Sequence, residues 1–237
     1  MSARKKPFRT WAKAKLPRTY GVFRRVGYRI KRRAIIKSNF TRKYLTNAWA
    51  CEESRSGFGS TLASADGVRR ELPALLDDLG VQSMLDIPCG DLHWLKSLDL
   101  KLRQYIGADV VEPLIQERIR CDGSPNRRFM RLDLTRDNLP RVDLILCRDC
   151  LVHLDYDHIR LALRQIKRSG SNYLLTTTFC NRLENRNIMT GDWRPLNLRL
   201  APFNLPPPSR IIHETSTEAD ETDKLLALWP LSNLPDF

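Results

Sequence analysis

A carboxylate and an imidazole lie four residues apart in the segment CRDCLVH. Asp149 and His153 would share one face of a helix if a helix begins there, because a helical turn spans about 3.6 residues. A carboxylate beside an imidazole orients the ring and raises its basicity, so the pair could remove a proton from an acceptor hydroxyl. A packing role, in which Asp149 caps a turn and His153 packs against it, fits the same spacing. A third interpretation makes both residues metal ligands, together with His213 and Glu214.

Three further residues that could bind a ligand follow short apolar segments typical of buried strands. Gly90 follows the first segment, where the missing Cβ lets the backbone approach a ligand closely. Asp109 ends the second, about 20 residues later, at the spacing of the acidic residue that binds a ribose diol in dinucleotide folds. Asp133 ends the third and could accept a hydrogen bond from an adenine amino group. Together these positions predict an adenosyl cofactor.

The turn at Gly90 lacks the glycine pattern that binds a pyrophosphate. Pro88 stands where G-x-G-x-x-G has its first glycine, and the third glycine is also absent, so no open phosphate-binding turn is expected. This argues against a nicotinamide dinucleotide. S-adenosylmethionine has no phosphate, so the absence of that turn does not count against S-adenosylmethionine as the adenosyl cofactor.

Apolar strand-like segments alternate with amphipathic helical ones along the chain. Strands are predicted in SMLDIPCGD, QYIGAD, RFMRLDL, VDLILC and NYLLTTTF, and helices in GVRRELPALLDDLG, in LHWLKSL, after Pro113 and in HIRLALRQIKRSG. Asp66 is the predicted N-cap of the first helix. The C-terminal region, which begins with the proline-rich stretch at Gly191 and ends in ETDKLLALWPL, is predicted to form an antiparallel hairpin beside the site. The predicted fold class is α/β: a Rossmann-like, doubly wound, mostly parallel sheet with a C-terminal antiparallel hairpin, preceded by a basic helical arm.

The basic residues are concentrated at the N-terminus. Residues 1–43 contain 16 of the 40 Lys and Arg residues and none of the 27 Asp and Glu residues, so this arm has a charge of +16 and residues 44–237 a charge of −3. We therefore divide the chain into a basic arm (1–43) and a catalytic domain (44–237). Within the arm, Val22, Val26, Ile30 and Ala34 recur every fourth residue, which predicts an amphipathic helix. Such an arm could bind an anionic membrane or nucleic acid, or dock on the neighbouring domain, and it also resembles a mitochondrial presequence.

The remaining composition predicts a cytoplasmic protein, with peripheral membrane attachment through the arm. No apolar run has the length of a membrane-spanning helix, and no secretory signal is evident. The six cysteines are too few and too irregularly spaced for a disulfide framework. Cys147 and Cys150 form a C-x-x-C without a second ligand pair, so no bound metal is predicted.

Two segments are predicted to contact the acceptor. Arg55 and Ser56 belong to SRSGFGST, which has the glycine and hydroxyl content of a loop that closes over a ligand, although an ordinary connector has the same composition. Trp193 and Arg194 combine a flat apolar face with a forked cation, which suits a sugar ring or an anionic group. Packing within the predicted hairpin is the alternative for this second pair.

The segments LDIPCGD, YIGADVVEPLI, RLDL, LILCRDCLVHL and YLLTTTF together resemble a family of bacterial class I S-adenosylmethionine-dependent methyltransferases. NAWACEESRSGFGSTL, NRNIMTGDWRPLNLRLAPFNLPPP and KLLALW extend the resemblance over most of residues 46–231. It implies a cofactor site in which the methionine side is lined by Asp86, Pro88, Cys89, Gly90 and Asp91, the ribose by Asp109, and the adenine by Asp133 and Leu134, with Arg148 of the fourth segment also on the cofactor side. It implies no particular substrate.

The sequence thus predicts an enzyme that transfers a methyl group to a hydroxyl of a glycan or another small polar acceptor. Asp149 and His153 are the predicted catalytic residues. The alternative is a methyltransferase-like protein whose arm, by binding RNA or a membrane, provides the main binding function. The acidic residues predicted at the mouth of the site favour the enzyme.

Overall fold

The computed structural model describes residues 36–215 and 221–237. Residues 36–46 are helical and are called α1. The other helices are α2 (Asp66–Asp78), α3 (Glu112–Asp122) and α4 (Tyr156–Arg168), and the strands are β1 (Ser83–Asp86), β2 (Gln104–Asp109), β3 (Arg127–Arg131), β4 (Leu144–Cys147), β5 (Tyr173–Phe179), β6 (Arg210–His213) and β7 (Lys224–Pro230). The residues that predict the amphipathic helix of the arm, Val22, Val26, Ile30 and Ala34, lie outside the described residues.

The seven strands form one sheet in the order β3-β2-β1-β4-β5-β7-β6. The first five strands along the chain run parallel, and β7 pairs antiparallel with both β5 and β6. This confirms the predicted mostly parallel sheet with a C-terminal antiparallel hairpin. Strands β2 and β3 are added to the sheet towards one side of β1, and β4 and β5 are added towards the other side. Such folds leave a crevice at this change, between β1 and β4 and beyond the carboxyl ends of the strands.

Two apolar layers cover the sheet, one on each face. Successive residues of a strand point to opposite faces, so Leu85 packs in the layer that includes α4 and Met84 in the layer that includes α2. Both side chains are fully buried, and each such burial stabilises the fold by roughly 1.5 to 3 kcal/mol. Trp229 of β7 is also fully buried, and its indole Nε1 donates to the carbonyl of Pro206 at 2.7 Å. The sheet is thus a buried platform for the loops at its carboxyl edge.

The helix predicted in LHWLKSL does not form. The segment makes turns in which the N–H groups of Leu95 and Lys96 both donate to the carbonyl of Leu92. Leu92 has a φ of 60°, and a residue in this left-handed region cannot begin a right-handed helix. The prediction of Asp66 as an N-cap is also wrong by one position: Ala65 occupies the cap, and Asp66 begins α2 and pairs with Arg70 at 3.2 Å.

Within the described ranges, none of the helices has the length and apolar character needed to cross a bilayer.

Candidate active site

The carboxyl ends of the central strands border a cavity with about 1050 Å³ of empty space, its open mouth included. α1 and the segment 49–60 cover the cavity on the N-terminal side. Twelve of the fifteen predicted site residues line it: Arg55, Ser56, Asp86, Pro88, Cys89, Gly90, Asp109, Asp133, Leu134, Arg148, Asp149 and His153.

The turn after β1 is shaped by Gly90. Its φ is 54°, and a Cβ at this position would come within 2.3 Å of the Ser56 hydroxyl oxygen. The neighbouring Asp91 accepts hydrogen bonds from the Ser54 hydroxyl at 2.9 Å and from the Arg55 N–H at 2.9 Å. Asp91 therefore anchors the segment that carries Arg55 and Ser56 to the turn after β1. The side chain of Asp91 is not among those that line the cavity.

Two buried carboxyl groups end β1 and β2. Asp86 accepts a hydrogen bond from the Tyr105 hydroxyl at 2.7 Å, and Asp109 accepts one from the Val111 N–H at 3.0 Å. Burial raises the pKa of Asp86 to about 7 and that of Asp109 to about 6. Neither forms a salt bridge within the described chain, so both retain capacity for a ligand's donors.

Asp133 follows β3 and caps a turn. Its Oδ1 accepts hydrogen bonds from the N–H of Thr135 at 2.9 Å and from the hydroxyl of Thr135 at 2.7 Å. Its Oδ2 has no hydrogen-bonding partner among the described residues. Leu134 and Val110 line the cavity beside it, so this corner offers an acceptor next to apolar side chains. Such a corner suits the amino edge and the flat face of an adenine.

Asp149, after β4, is held by cations. Its Oδ2 lies 2.8 Å from the Lys224 Nζ and 3.5 Å from an Arg148 nitrogen. Burial alone would raise the pKa of Asp149, but these two cations hold it well below its usual range. A Cβ at Gly59 would come within 2.5 Å of the same oxygen, so the Gly-rich segment presses its backbone against this carboxylate.

Lys224 is the central cation of a buried charge cluster. Glu214 lies 2.5 Å from Arg148 and 3.4 Å from Lys224, and these three side chains are at most 5% exposed. Arg148 also lies over the Trp94 ring, 5.2 Å from its centroid. The sequence analysis missed Lys224. The available signal was a single lysine at the start of an otherwise apolar strand, DKLLALW.

His153 is oriented by the backbone rather than by Asp149. Its Nδ1 lies 2.9 Å from the carbonyl oxygen of Asp192. A carbonyl only accepts, so Nδ1 carries the proton and Nε2 of the neutral ring is a free acceptor. No described residue hydrogen-bonds to Nε2. Burial lowers the pKa of His153 and keeps the ring neutral, and the rings of Phe40 and Trp49 lie 6.3 and 6.2 Å from it.

The predicted helical pairing of Asp149 with His153 is therefore absent. Asp149 has a φ of 49°, and the short 3-10 segment that carries His153 begins two residues later, at Leu151. The left-handed residue interrupts the helix that would have placed both side chains on one face. The N–H of Asp149 instead donates to the Thr177 hydroxyl at 2.8 Å. Both side chains line the cavity, each held by a different partner.

Arg194 is fully buried and does not reach the cavity. Its two terminal nitrogens donate to the carbonyls of Leu151 and Leu154, each at 2.8 Å. It supports the backbone that carries His153, which corrects its predicted role in acceptor binding. Trp193 is 38% exposed, lies edge-on to Phe179 and is also outside the cavity lining.

The metal alternative for this corner is not supported by the geometry. In residues 36–215 and 221–237, no three His, Cys, Asp or Glu side chains are grouped so as to hold a metal ion. Asp149 and Glu214, two of the four suggested ligands, are both paired with Lys224.

Comparison with solved structures identifies the fold. The methyltransferase domain of bacterial CtHen1 aligns with a TM-score of 0.53 and 14% identity over 72% of this chain and 100% of that domain. The N-methyltransferase NodS from Bradyrhizobium japonicum aligns with a TM-score of 0.50 and 19% identity over 70% and 98% of the two chains. An S-adenosylmethionine-dependent methyltransferase from Clostridium acetobutylicum gives 0.50 and 12% over 69% and 90%. The chain therefore has the class I methyltransferase fold.

Comparisons of sequence alone are negative. No protein-family model matches the chain, and no curated protein matches it.

Proposed function

We propose that this protein is an S-adenosylmethionine-dependent methyltransferase that methylates a hydroxyl of a glycan or another small polar acceptor. The observation that carries the proposal is one cavity that joins the carboxyl groups ending β1 and β2 to a neutral histidine with a free Nε2. The class I methyltransferase fold supports it, because sites in such sheets form at the carboxyl ends of the strands.

The residues at the strand ends fit S-adenosylmethionine. Asp109 would accept from the two ribose hydroxyls, and Asp133 Oδ2 from the adenine amino group. Asp86 and the close backbone turn at Gly90 would hold the cationic methionine end. When bound, this cofactor supplies a methyl group activated by a sulfonium.

His153 would act as the general base. Its Nε2 accepts the proton of the acceptor hydroxyl, while the Asp192 carbonyl keeps the ring in the required tautomer. Asp149 stays ionised because the charges of Lys224 and Arg148 lower its pKa. Its negative charge favours the imidazolium that forms when His153 takes the proton. Asp149 therefore supports the reaction electrostatically and does not take the proton.

The acceptor side of the cavity has aromatic walls. Phe40 and Trp49 flank the His153 ring, and Arg55 and Ser56 line the cavity on the same N-terminal side. Flat aromatic faces pack well against the ring of a sugar, and Arg55 and Ser56 add hydrogen-bond donors. These walls support a ring-bearing acceptor with a reactive hydroxyl.

The experiment is a screen of acceptor extracts with methyl-labelled cofactor, followed by kinetics on the labelled acceptor. We expect His153→Ala to lower the rate about 100- to 10,000-fold with unchanged cofactor affinity. The wild-type rate should rise with pH and level off below neutrality, because burial lowers the pKa of His153. The control is His213→Ala, at an exposed histidine on β6. Full activity of His153→Ala on the identified acceptor would reject the base assignment.

A further inference from the structure

A second cavity, with about 810 Å³ of empty space including its open mouth, adjoins the candidate active site. The two cavities share two wall residues, Tyr44 of α1 and Arg55, which therefore form the boundary between them. Each side chain that lines the second cavity carries a polar or charged group: Tyr44, Arg55, Asp91, His93, Lys96, Glu117 and Arg118. A polar cavity beside a reaction site is a place where a charged part of a substrate can bind.

The two carboxylates of the second cavity already have donors within the protein. Asp91 accepts from the Arg55 N–H at 2.9 Å and from the hydroxyls of the two serines that flank Arg55, at 2.9 and 3.2 Å. Glu117 accepts from the Tyr44 hydroxyl at 3.0 Å and lies 2.7 Å from an Arg118 nitrogen. Neither carboxylate therefore needs a cation from a ligand.

The donors of the second cavity, by contrast, are left over. Among the described residues, the Arg55 guanidinium and the Lys96 ammonium have no carboxylate or other hydrogen-bond acceptor as partner. The Arg118 side chain is only 11% exposed, and its Nε is buried without an acceptor. A buried N–H of a cation is costly when it is unpaired, so a ligand with acceptor oxygens would be favoured here. The balance of free donors over free acceptors indicates an anion.

Arg55 is oriented at the boundary between the two cavities. Its guanidinium lies over the Tyr44 ring, 5.7 Å from the ring centroid. Tyr44 follows Phe40 by about one turn of α1, so both rings lie on the same face of this helix. The Phe40 ring lies 6.3 Å from the ring of His153. One face of α1 therefore leads from the proposed general base to the unpaired guanidinium.

We infer that the second cavity binds an anionic group, a phosphate or a carboxylate, of the same acceptor whose hydroxyl faces His153. The forked donors of Arg55 bind two oxygens of the anion, and Lys96 adds a second positive charge. The acceptor is then an acidic molecule that extends along Phe40 and Tyr44 between its hydroxyl and its anionic group. The inference rests on the proposed function, because it specifies the chemistry of the acceptor that His153 would deprotonate.

The labelled product of the acceptor screen gives the first test. We expect an anion-exchange resin to retain it, because the acceptor carries a negative charge. Alkaline phosphatase then distinguishes the two anions, since it releases a phosphate monoester from the resin and leaves a carboxylate bound. A labelled product that the resin does not retain would overturn the inference, although methyl transfer itself would stand.

The second test removes the unpaired cations. The double variant Arg55→Gln and Lys96→Gln should raise the KM for the acceptor at least about tenfold, with a smaller change in kcat, because anion binding precedes the transfer. The control is the double variant Lys101→Gln and Arg103→Gln, at exposed cations that line neither cavity, which should have the wild-type KM. Circular dichroism verifies that both variants are folded. Equal KM values in the two variants would overturn the inference.

Calorimetric titration of the same proteins with S-adenosylmethionine tests the other source of an anion, the carboxylate of the cofactor itself. We expect equal affinities in the wild type and both variants. A loss of cofactor affinity in the Arg55→Gln and Lys96→Gln variant, as large as its rise in KM, would assign these cations to the cofactor and overturn the inference.

Titration with inorganic phosphate tests the cavity without methyl transfer. The full chain is titrated at physiological ionic strength, where the basic arm contributes equally in all three proteins. We expect the wild type and the control variant to bind phosphate alike, and the Arg55→Gln and Lys96→Gln variant to bind it at least about fivefold more weakly. Equal phosphate affinities in all three would overturn the inference. Absence of any labelled product, with this difference in phosphate binding present, would refute the proposed function alone.

Discussion

Three carboxyl groups border the same cavity: two end β1 and β2, and one follows β4. Their surroundings raise the pKa values of the first two and lower the pKa of the third. Asp86 and Asp109 are buried beside a tyrosine hydroxyl and backbone N–H groups, and their pKa values rise to about 7 and about 6. Asp149 is also buried, but Lys224 and Arg148 lie against it and its pKa falls well below the usual range. Desolvation dominates on the first side and paired cations on the second.

Two of the carboxyl groups, those of Asp86 and Asp109, are thus available to bind a ligand, whereas that of Asp149 is already paired with cations. The carboxylates of Asp86 and Asp109 are stabilised when a ligand brings hydrogen-bond donors or a positive charge into the cavity. A ligand's donors would add little at Asp149, because Lys224 already pairs with this carboxylate at 2.8 Å. The same residue type at equivalent places in the sheet thus suits ligand binding on one side and a fixed electrostatic field on the other.

The largest expected effect follows from removal of the central cation. Lys224→Met should lower the free energy of unfolding by about 3 to 5 kcal/mol, because it leaves Asp149 and Glu214 buried with only Arg148 between them. Denaturant titration measures this loss. Lys101→Met is the matched control, because Lys101 pairs with Asp77 at 3.6 Å on the surface and its pair contributes at most about 1 kcal/mol. Equal losses in the two variants would mean that the cluster around Asp149 is screened by water.

On the cofactor side, Asp109→Ala should weaken binding of S-adenosylmethionine about 30- to 1000-fold. Loss of charge-assisted hydrogen bonds to the ribose corresponds to roughly 2 to 4 kcal/mol. Calorimetric titration measures the affinity, with Asp78→Ala at an exposed position of α2 as the control.

The pH dependence of cofactor affinity sharpens the same prediction. The ionised form of Asp109 accepts the ribose donors, so the wild-type affinity should fall as pH drops through about 6, the pKa of this carboxyl. Asp109→Asn should lose that dependence. Unchanged affinity of a folded Asp109→Ala variant would place the ribose elsewhere in the cavity.

A smaller effect is expected from Asp86→Asn, and it has the opposite sign. The pKa of Asp86 is raised from 3.8 to about 7 in the folded protein, so its ionisation destabilises the fold above pH 7. Asparagine removes this penalty and still accepts from Tyr105, although its amide N–H groups are buried without an evident acceptor. We expect a net gain of about 1 to 3 kcal/mol at pH 8 in the ligand-free protein.

The gain should shrink as pH falls below about 7 and disappear near 3.8, where the unfolded aspartate is also protonated. Denaturant titrations across this range, with Asp78→Asn as control, measure it. A loss of stability at pH 8 would show that Asp86 is ionised and stabilised in the folded protein.

The local sequence was sufficient to predict most of the strands and helices of the fold. QYIGAD predicts β2 over the residues that form it, and Pro113 marks the first turn of α3. Apolar periodicity depends on burial against one or two layers, which neighbouring residues reveal. The helix in LHWLKSL was the clearest error, because the left-handed conformation of Leu92 follows from how the chain turns after β1 and not from its residue type.

Within the site, the sequence by itself determined which residues stand at the carboxyl edge. The ends of parallel strands meet at one edge of a sheet, so an aspartate after each apolar run is expected there. Only the tertiary structure decided what each group touches. Lys224 is 75 residues from Asp149, and the Asp192 carbonyl is 39 residues from His153. β7 reaches Asp149 because it pairs with β5, and such long-range pairing arises from packing the whole sheet, which no local pattern of residues encodes.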